Sequence, residues 1–453
     1  MNNLGENFKG VLNFMLKRSV AVKIILIGFL IFILQIPTYQ IINLINERQS
    51  MKVKAVEEIC SKWGKSQTLT GPFLVVPFQE RVLEGKEQRE RIVKHWITIL
   101  PETLSVNGNM QPEIRKRGIY QAVLFSGKFT LTGTFILPET SEISGLKPQA
   151  EILWNNAIIV FGVSDIIGLK ENILKIDGSA IRTIPGMPGG LIANIGFHVP
   201  YSLKSRLPSG TSVSNVKIPF CMELGINGSS DINFYPLGRE TTVSTASSWN
   251  SPSFCGKFLP NSREITDKGF KAEWKISDMN RNYPQVWIDG ESKINDSSFG
   301  VGFYVTANIY QQSFRAAKYA VLFIVFTMLA FLFAESFAKT WMHPIQYFLV
   351  GLAIVMFYSL LLSFAEHISF AQAYLFAALA VVLLVSAYCG LIFRLGKMAV
   401  SVGAAMTLAY ALLYLVLQME DYALLAGSIC FFVLLAVLMF FTRGINRKSD
   451  DTN

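Results

Sequence analysis

Residues that usually carry chemistry are scarce in this chain. Its 453 residues include four histidines (His95, His198, His343 and His367) and five cysteines (Cys60, Cys221, Cys255, Cys389 and Cys430). No two cysteines form a C-x-x-C pair and no histidine stands at metal-ligand spacing from them, so zinc is not expected. No H-E-x-x-H, G-x-S-x-G or G-x-x-x-x-G-K-[ST] occurs, and no S-x-x-K lies near an apolar run. Metalloprotease, α/β-hydrolase and P-loop readings therefore lack their residues, and no cofactor is implied. Charge is scarce too: 16% of residues are charged against 51% hydrophobic, a balance that points to a membrane protein.

The formal net charge of +9 suggests a nucleic-acid partner only until it is mapped. Residues 43–315 hold 30 Lys plus Arg against 25 Asp plus Glu, a mild excess, and no basic block is interleaved with aromatics. Arg115-Lys116-Arg117 is the densest cluster and reads as a solvated loop. No nucleic acid is expected as a partner; the lipid bilayer is.

What the sequence does have is long apolar runs. Five near the C-terminus are of spanning length, at about 319–338, 345–364, 370–389, 399–418 and 423–442, and a sixth covers 20–42. The first run is followed by no small-residue cleavage pattern and reads as an uncleaved anchor. Eleven basic residues lie outside 43–315, and ten of them fall on one face of a six-span arrangement, Lys318 being the exception. Because Lys and Arg are retained in the cytoplasm, both termini (1–19 and 443–453) are expected there, and residues 43–315 outside, which in a Gram-negative bacterium means the periplasm.

Residues 43–315 are expected to form a large, mainly β, sandwich-like domain inserted between spans one and two, either as one domain or as two. Phe73–Val82 and Ile92–Leu100 read as a hairpin around Glu84-Gly85-Lys86-Glu87. Gln121–Leu137 reads as two strands with Gly127 or Gly133 at a bend. Phe299–Ile309 reads as a last strand feeding span two, and Glu47–Lys62 as a continuation of the first helix. Pro185–Gly190 is the strongest internal breaker and reads as a long loop. His95 sits in a strand beside Trp96, and His198 in a turn before Pro200. Three cysteines fall in this domain, enough for one disulfide whose partners spacing cannot name.

Asp165, in Gly162-Val163-Ser164-Asp165, is a candidate catalytic carboxylate for a membrane-bound hydrolase; the plainer reading is a turn-forming Asp. The other candidate functional residues are Glu335, His343, Glu366 and His367, since ionisable groups in spans are costly and tend to have a role. All four sit at span ends, where anchoring or helix pairing competes with a coupling role in a transporter or flippase. No catalytic, cofactor-binding or metal residue can be assigned.

Several ordered stretches resemble the CreD family of inner-membrane, cell-envelope integrity proteins. They are Leu69-Thr70-Gly71-Pro72 through Pro77; Arg117-Gly118-Ile119-Tyr120; Ser248-Trp249 through Phe254, Gly256 and Phe258-Leu259-Pro260 to Trp274; Ala317-Lys318-Tyr319; and His343-Pro344 through Leu352, Phe357-Tyr358 and Glu366-His367. Cys255 departs from the family pattern in an otherwise matching segment, which argues against a required disulfide there. The resemblance runs from about Glu47 to Arg443. It implies a two-component regulon, colicin-tolerance and β-lactam phenotypes, and no enzymatic activity or ligand. The leading expectation is thus a non-enzymatic protein maintaining envelope integrity through its β domain, with a periplasmic or inner-membrane protein as partner.

Overall fold

The computed structural model describes residues 20–84, 89–187, 195–204, 216–289, 293–304, 309–338, 341–394 and 396–418, and isolated helical positions between 425 and 439. The chain divides into two compact units, Met1–Lys52 with Ala307–Asn453, and Val53–Thr306.

The first unit is helical. Helix α1, Val20–Trp63, crosses the unit boundary within its length, so Glu47–Lys62 does continue the first helix. It is followed by α2, Ile309–Lys318, α3, Ala320–Ala338, α4, Pro344–Ala365, α5, Phe370–Phe393, and α6, Gly396–Gln418. Among the described residues four helices are long and apolar enough to cross a membrane, or five if the α2–α3 pair, bent by 44°, is one span. The last strand expected over Phe299–Ile309 forms over Phe299–Phe303 only, and Ile309 already opens a helix. The run at 423–442 and Cys430 lie largely outside the described residues.

Helix packing follows sequence spacing. In α1, Ile27, Leu34 and Ile45 are buried, while Ile25, Phe29, Phe32 and Ile36 stay exposed on another stripe, as expected for a helix with one protein-facing and one lipid-facing side. Leu34 meets α3 and α4 at Gly351, where a Cβ would stand 2.2 Å from Leu34 Cδ1 and 2.6 Å from Met328 Cε. The missing side chain is what lets the helices approach there.

Among the described residues the second unit holds eighteen strands. In order they are β1 Gln67–Glu84, β2 Arg89–Ile99, β3 Thr103–Arg117, β4 Tyr120–Ile136, β5 Glu151–Ile152 and β6 Ile158–Val163. Next come β7 Leu169–Ile176, β8 Ser179–Ile181, β9 Ile184–Pro185, β10 Gly196–Pro200, β11 Lys217–Ser229 and β12 Asp231–Phe234. The last are β13 Glu240–Ser247, β14 Pro252–Gly256, β15 Ser262–Thr266, β16 Gly269–Ser277, β17 Val286–Ile288 and β18 Phe299–Phe303. Ten strands form one sheet along β14-β18-β12-β1-β6-β10-β9, with β2 and β5 branching from β1 and β17 pairing with β2; eight form the other, β15-β16-β13-β3-β4-β11-β7-β8. One continuous hydrophobic core draws on residues of both sheets, including Phe73, Phe125, Phe161, Phe234, Trp274 and Phe299. Val53–Thr306 forms one compact unit, while 43–52 are grouped with the helical unit and 309–315 lie in α2.

The β1–β2 hairpin forms in antiparallel register from Leu74↔Ile99 to Glu84↔Arg89, with its tip outside the described residues. Gln121–Leu137, by contrast, is not two strands: β4 runs unbroken and pairs with β3 and β11 along its length. Its glycines are seats for rings rather than bends. The Phe129 ring lies over Gly108 and Gly127, where an added Cβ would come within 2.4 Å of it, and Phe220 covers Gly133 in the same way. Arg115-Lys116-Arg117 is likewise strand, not loop; Arg115 stacks on Trp63 at 4.1 Å and Arg117 pairs with Glu58. His198 lies in β10, paired opposite Val160 and Ile184, rather than in a turn. Most of the Pro185–Gly190 breaker lies outside the described residues, although Pro185 itself pairs with Phe197.

Because the ring and the two glycines share one layer of the core, Gly127→Val should lower domain stability by about 1–3 kcal/mol through overpacking. Phe129→Ala should lower it by about 3–5 kcal/mol through the void it leaves. Denaturant unfolding followed by tryptophan fluorescence reads both.

Candidate functional site

Of the five sequence candidates, Asp165 is the simplest to place. It caps the short 3-10 turn Ile166–Gly168, accepting from Ile167 N–H at 3.1 Å through one carboxylate oxygen and from Lys65 N–H at 2.8 Å through the other. Gln67, fully buried, donates to the Asp165 and Asn227 carbonyls, both at 3.0 Å, and holds that turn against β11. Both oxygens serve the backbone, which is the turn-forming role rather than that of a base. His95 is paired with Asp289, whose second oxygen accepts from Trp96 N–H at 2.8 Å; this ties β2 to the end of β17. Cys60, Cys221, Cys255 and Cys389 are free thiols. Burial, with Asp231 nearby, pushes the Cys255 thiol up, which makes it a weak nucleophile.

The Ser248–Trp274 segment is absorbed by packing. Trp249 meets Phe303 edge-on, Phe254 meets both Phe270 and Trp274, and Trp274, with no exposed surface, donates its indole N–H to the Phe258 carbonyl at 3.1 Å. These aromatics build the core between the sheets.

The helical unit is where chemistry concentrates. Glu335, 5% exposed near the end of α3, is bound from three directions. Lys23 of α1 pairs with its Oε1 at 2.5 Å, Tyr347 of α4 donates its hydroxyl to Oε2 at 2.6 Å, and the Met342 N–H donates to Oε1 at 3.1 Å. Three helices and the connection before α4 thus converge on one carboxylate. His343 stands beside this cluster as the N-cap of α4: its ring accepts from Ile345 N–H, and Gln346 accepts in return from His343 N–H at 2.9 Å, with Pro344 opening the helix. This reciprocal box satisfies donors that the first turn leaves free, and Pro in a first turn sacrifices no bond.

Glu366 caps the opposite end of α4. Tyr310 of α2 donates to it at 3.2 Å, and Arg48 of α1 lies 4.0 Å away. Lys52, one turn beyond Arg48, sits over the Tyr310 ring at 5.8 Å. His367 is exposed, and its backbone N–H closes the helix on Phe364. At 1.5 Å per residue, Lys23 and Arg48 are about 38 Å apart along α1, and His343 and Glu366 about 35 Å apart along α4. Both spans exceed the roughly 30 Å hydrocarbon core, so the two charged clusters fit its two interfaces.

The structure therefore brings Glu335 and His343 together at one end and Glu366 and His367 at the other, and joins the pairs by no polar relay among the described residues. Lys23, Tyr347, Arg48 and Tyr310 complete these clusters and were not among the sequence candidates. One signal was available: within the six apolar runs, Lys23 is the single basic residue and Glu335 the single acidic one. An intramembrane cation and anion should find each other.

Helices of spanning length joined to a mainly β domain define a polytopic membrane protein with a large extramembrane domain. Residues 19–448 match the family model described as "Inner membrane protein CreD". The chain is also 32% identical over 424 residues to the Inner membrane protein CreD of Escherichia coli (strain K12), covering 92% of this chain and 91% of that relative. The chain belongs to the CreD family of inner membrane proteins.

Removing one partner of a buried pair leaves an uncompensated charge, whereas removing both need not. Glu335→Leu or Lys23→Met alone should lower stability by about 3–5 kcal/mol and reduce accumulation in the membrane. The double variant should recover much of the loss. Immunoblots of membrane fractions together with thermal unfolding in detergent test this.

Proposed function

We propose that this chain is a non-enzymatic inner-membrane protein that maintains cell-envelope integrity, its β domain facing the periplasm and binding another envelope protein. In this reading 423–442 forms a sixth span, both termini are cytoplasmic, and the helical unit is an anchor. The observation that carries it is the pairing of a large β domain, in which Asp165 caps a turn and His95 pairs with Asp289, with membrane helices whose carboxylates Glu335 and Glu366 are held near the two ends of α4. Membership of the CreD family and the asymmetry of Lys and Arg among the loops support the same reading. The envelope phenotypes implied by the family resemblance belong to the proposal.

A transport role for the helices has less behind it. Its coupling groups would be Glu335, His343, Glu366 and His367, and these lie at opposite ends of α4 instead of near its middle, where alternating-access sites are built.

Two measurements test the proposal. A strain lacking the gene should show an altered response to detergents, colicins or β-lactams, restored by the wild-type gene and by Glu366→Gln; an unaltered response would sink the reading. Cysteine introduced at Lys268, in the exposed turn between β15 and β16, should react with a membrane-impermeant maleimide in intact cells whose outer membrane has been opened. Labelling only after the inner membrane is ruptured would reverse the topology.

A further inference from the structure

The eight-stranded sheet turns one face to the core and the other outward. In two adjacent rows of the outward face, β13, β3 and β4 carry hydroxyls and amides and no charge. Register sets Ser105 between Thr132 and Thr242, and Asn107 between Thr130 and Ser244. All six are exposed or half-buried, and none has a hydrogen-bond partner among the described residues. The charges that flank them are paired off. Lys275 and Glu273, 3.2 Å apart, stand beside Thr242 and Ser244, while Glu223 stands beside Thr130 and is held by Lys175 at 2.8 Å.

One row further along, the face deepens. Asn109 on β3 stands opposite Lys128 on β4, and beyond Lys128 come Gly225 on β11 and Glu171 on β7. Gly225 leaves a gap in the row: an added Cβ would lie 3.2 Å from Glu171 Cβ. The hollow there has a volume of about 250 Å³, and Gln111, Ser126, Lys170 and Asn227 also line it. That is close to the lower end of the roughly 300–1,000 Å³ of small-molecule sites. It begins where the last turns of α1, which cover Ala122 and Leu124 on the same strand, come to an end. Asn227 is 5% exposed, and its side-chain oxygen accepts from Ser126 Oγ at 2.9 Å. Its NH2 is left as a donor with no acceptor among the described residues.

An unused amide donor lining an open hollow calls for a ligand, and the face says which chemistry fits. Hydroxyls and carboxamides both donate and accept, as the hydroxyls of a sugar do. Three carboxamides in one hollow, on Asn109, Gln111 and Asn227, suit an acetamido group, which also donates and accepts. Short Ser and Thr side chains lose little rotamer freedom when covered, whereas Lys and Glu lose much. Protein interfaces are anchored by Trp, Tyr and Arg and seldom by Ser or Thr, and the two rows hold none of those anchors. Lys128 and Glu171 stand on opposite sides of Gly225 and offset each other, so the hollow favours a ligand with no strong charge.

We propose that this face binds a glycan: the hollow at Gly225 takes one acetamido sugar, and the chain to which that sugar belongs lies over the two rows of hydroxyls and amides. This goes beyond the envelope-integrity reading and does not rest on it, since the rest of the domain remains available to a protein partner.

The test is isothermal titration calorimetry on the full chain in lipid nanodiscs, which avoid detergents with sugar heads. Chitohexaose, a β-linked chain of N-acetylglucosamine, should bind wild type saturably. Cellohexaose, the same β-linked chain without acetamido groups, should bind about tenfold more weakly or not at all, because a site built to pair a group rejects the analogue that lacks it. Asn227→Ala should weaken chitohexaose binding about tenfold, and so should Asn109→Ala combined with Gln111→Ala. The double variant alters exposed side chains only and carries the test if Asn227→Ala does not fold. No saturable binding of chitohexaose by wild type overturns the proposal, as does equal affinity for cellohexaose or an unchanged affinity in the double variant.

Discussion

A carboxylate shut away among apolar helices must be matched or it will not stay charged, and Glu335 is matched three times over. Lys23 answers its charge, joined on Oε1 by the Met342 N–H, and the Tyr347 hydroxyl donates to Oε2. Because these donors come from α1, α4 and the connection between α3 and α4, the carboxylate fixes how those elements meet. Apolar side chains alone would not, since lipid tails satisfy leucine as well as another helix does. The contact of Leu34 and Met328 over Gly351 then sets the closeness of approach, and the Arg48–Glu366–Tyr310 cluster repeats the charged arrangement at the far end. A buried ion pair is a poor source of net stability but a good source of register, which is the use these helices make of it.

The β domain is held by another principle. Its two sheets share one core rich in aromatic rings, and the rings fit because glycines stand opposite them: Gly108 and Gly127 under Phe129, Gly133 under Phe220, Gly228 under Phe125. The buried Gln67 is pinned to backbone and braces Asp165 and Asn227 together. The last turns of α1 place Val56, Ile59, Cys60 and Trp63 on Ala122 and Leu124, so a face of the eight-stranded sheet is covered by the helix that leads into the domain.

The sequence made some of this legible. Among the described residues the apolar runs of spanning length form helices, and the alternation in 73–100 around a charged turn gives the β1–β2 hairpin. His343-Pro344 reads as a helix start because proline is tolerated there. The failures share a cause: the deciding partner was distant. Gly127 and Gly133 look like breakers until Phe129 and Phe220 are seen to fill their places, and Arg115–Arg117 looks like a loop until Trp63 and Glu58 meet it. Ile309 looks like the end of a strand because β-branched residues favour strands, yet it begins α2. Glu335 is legible as a candidate, but its partner Lys23 lies 312 residues away in the chain.

The central claim is that the β domain is the working part and the helices its anchor. Photocrosslinking in living cells tests it most directly, with probes at Met187 and Lys257 in the domain and at Leu379 and Leu412 in the helices. The account predicts a reproducible protein adduct from the domain probes. Silent domain probes beside helix probes that trap small molecules would contradict it, and would move the function into the membrane.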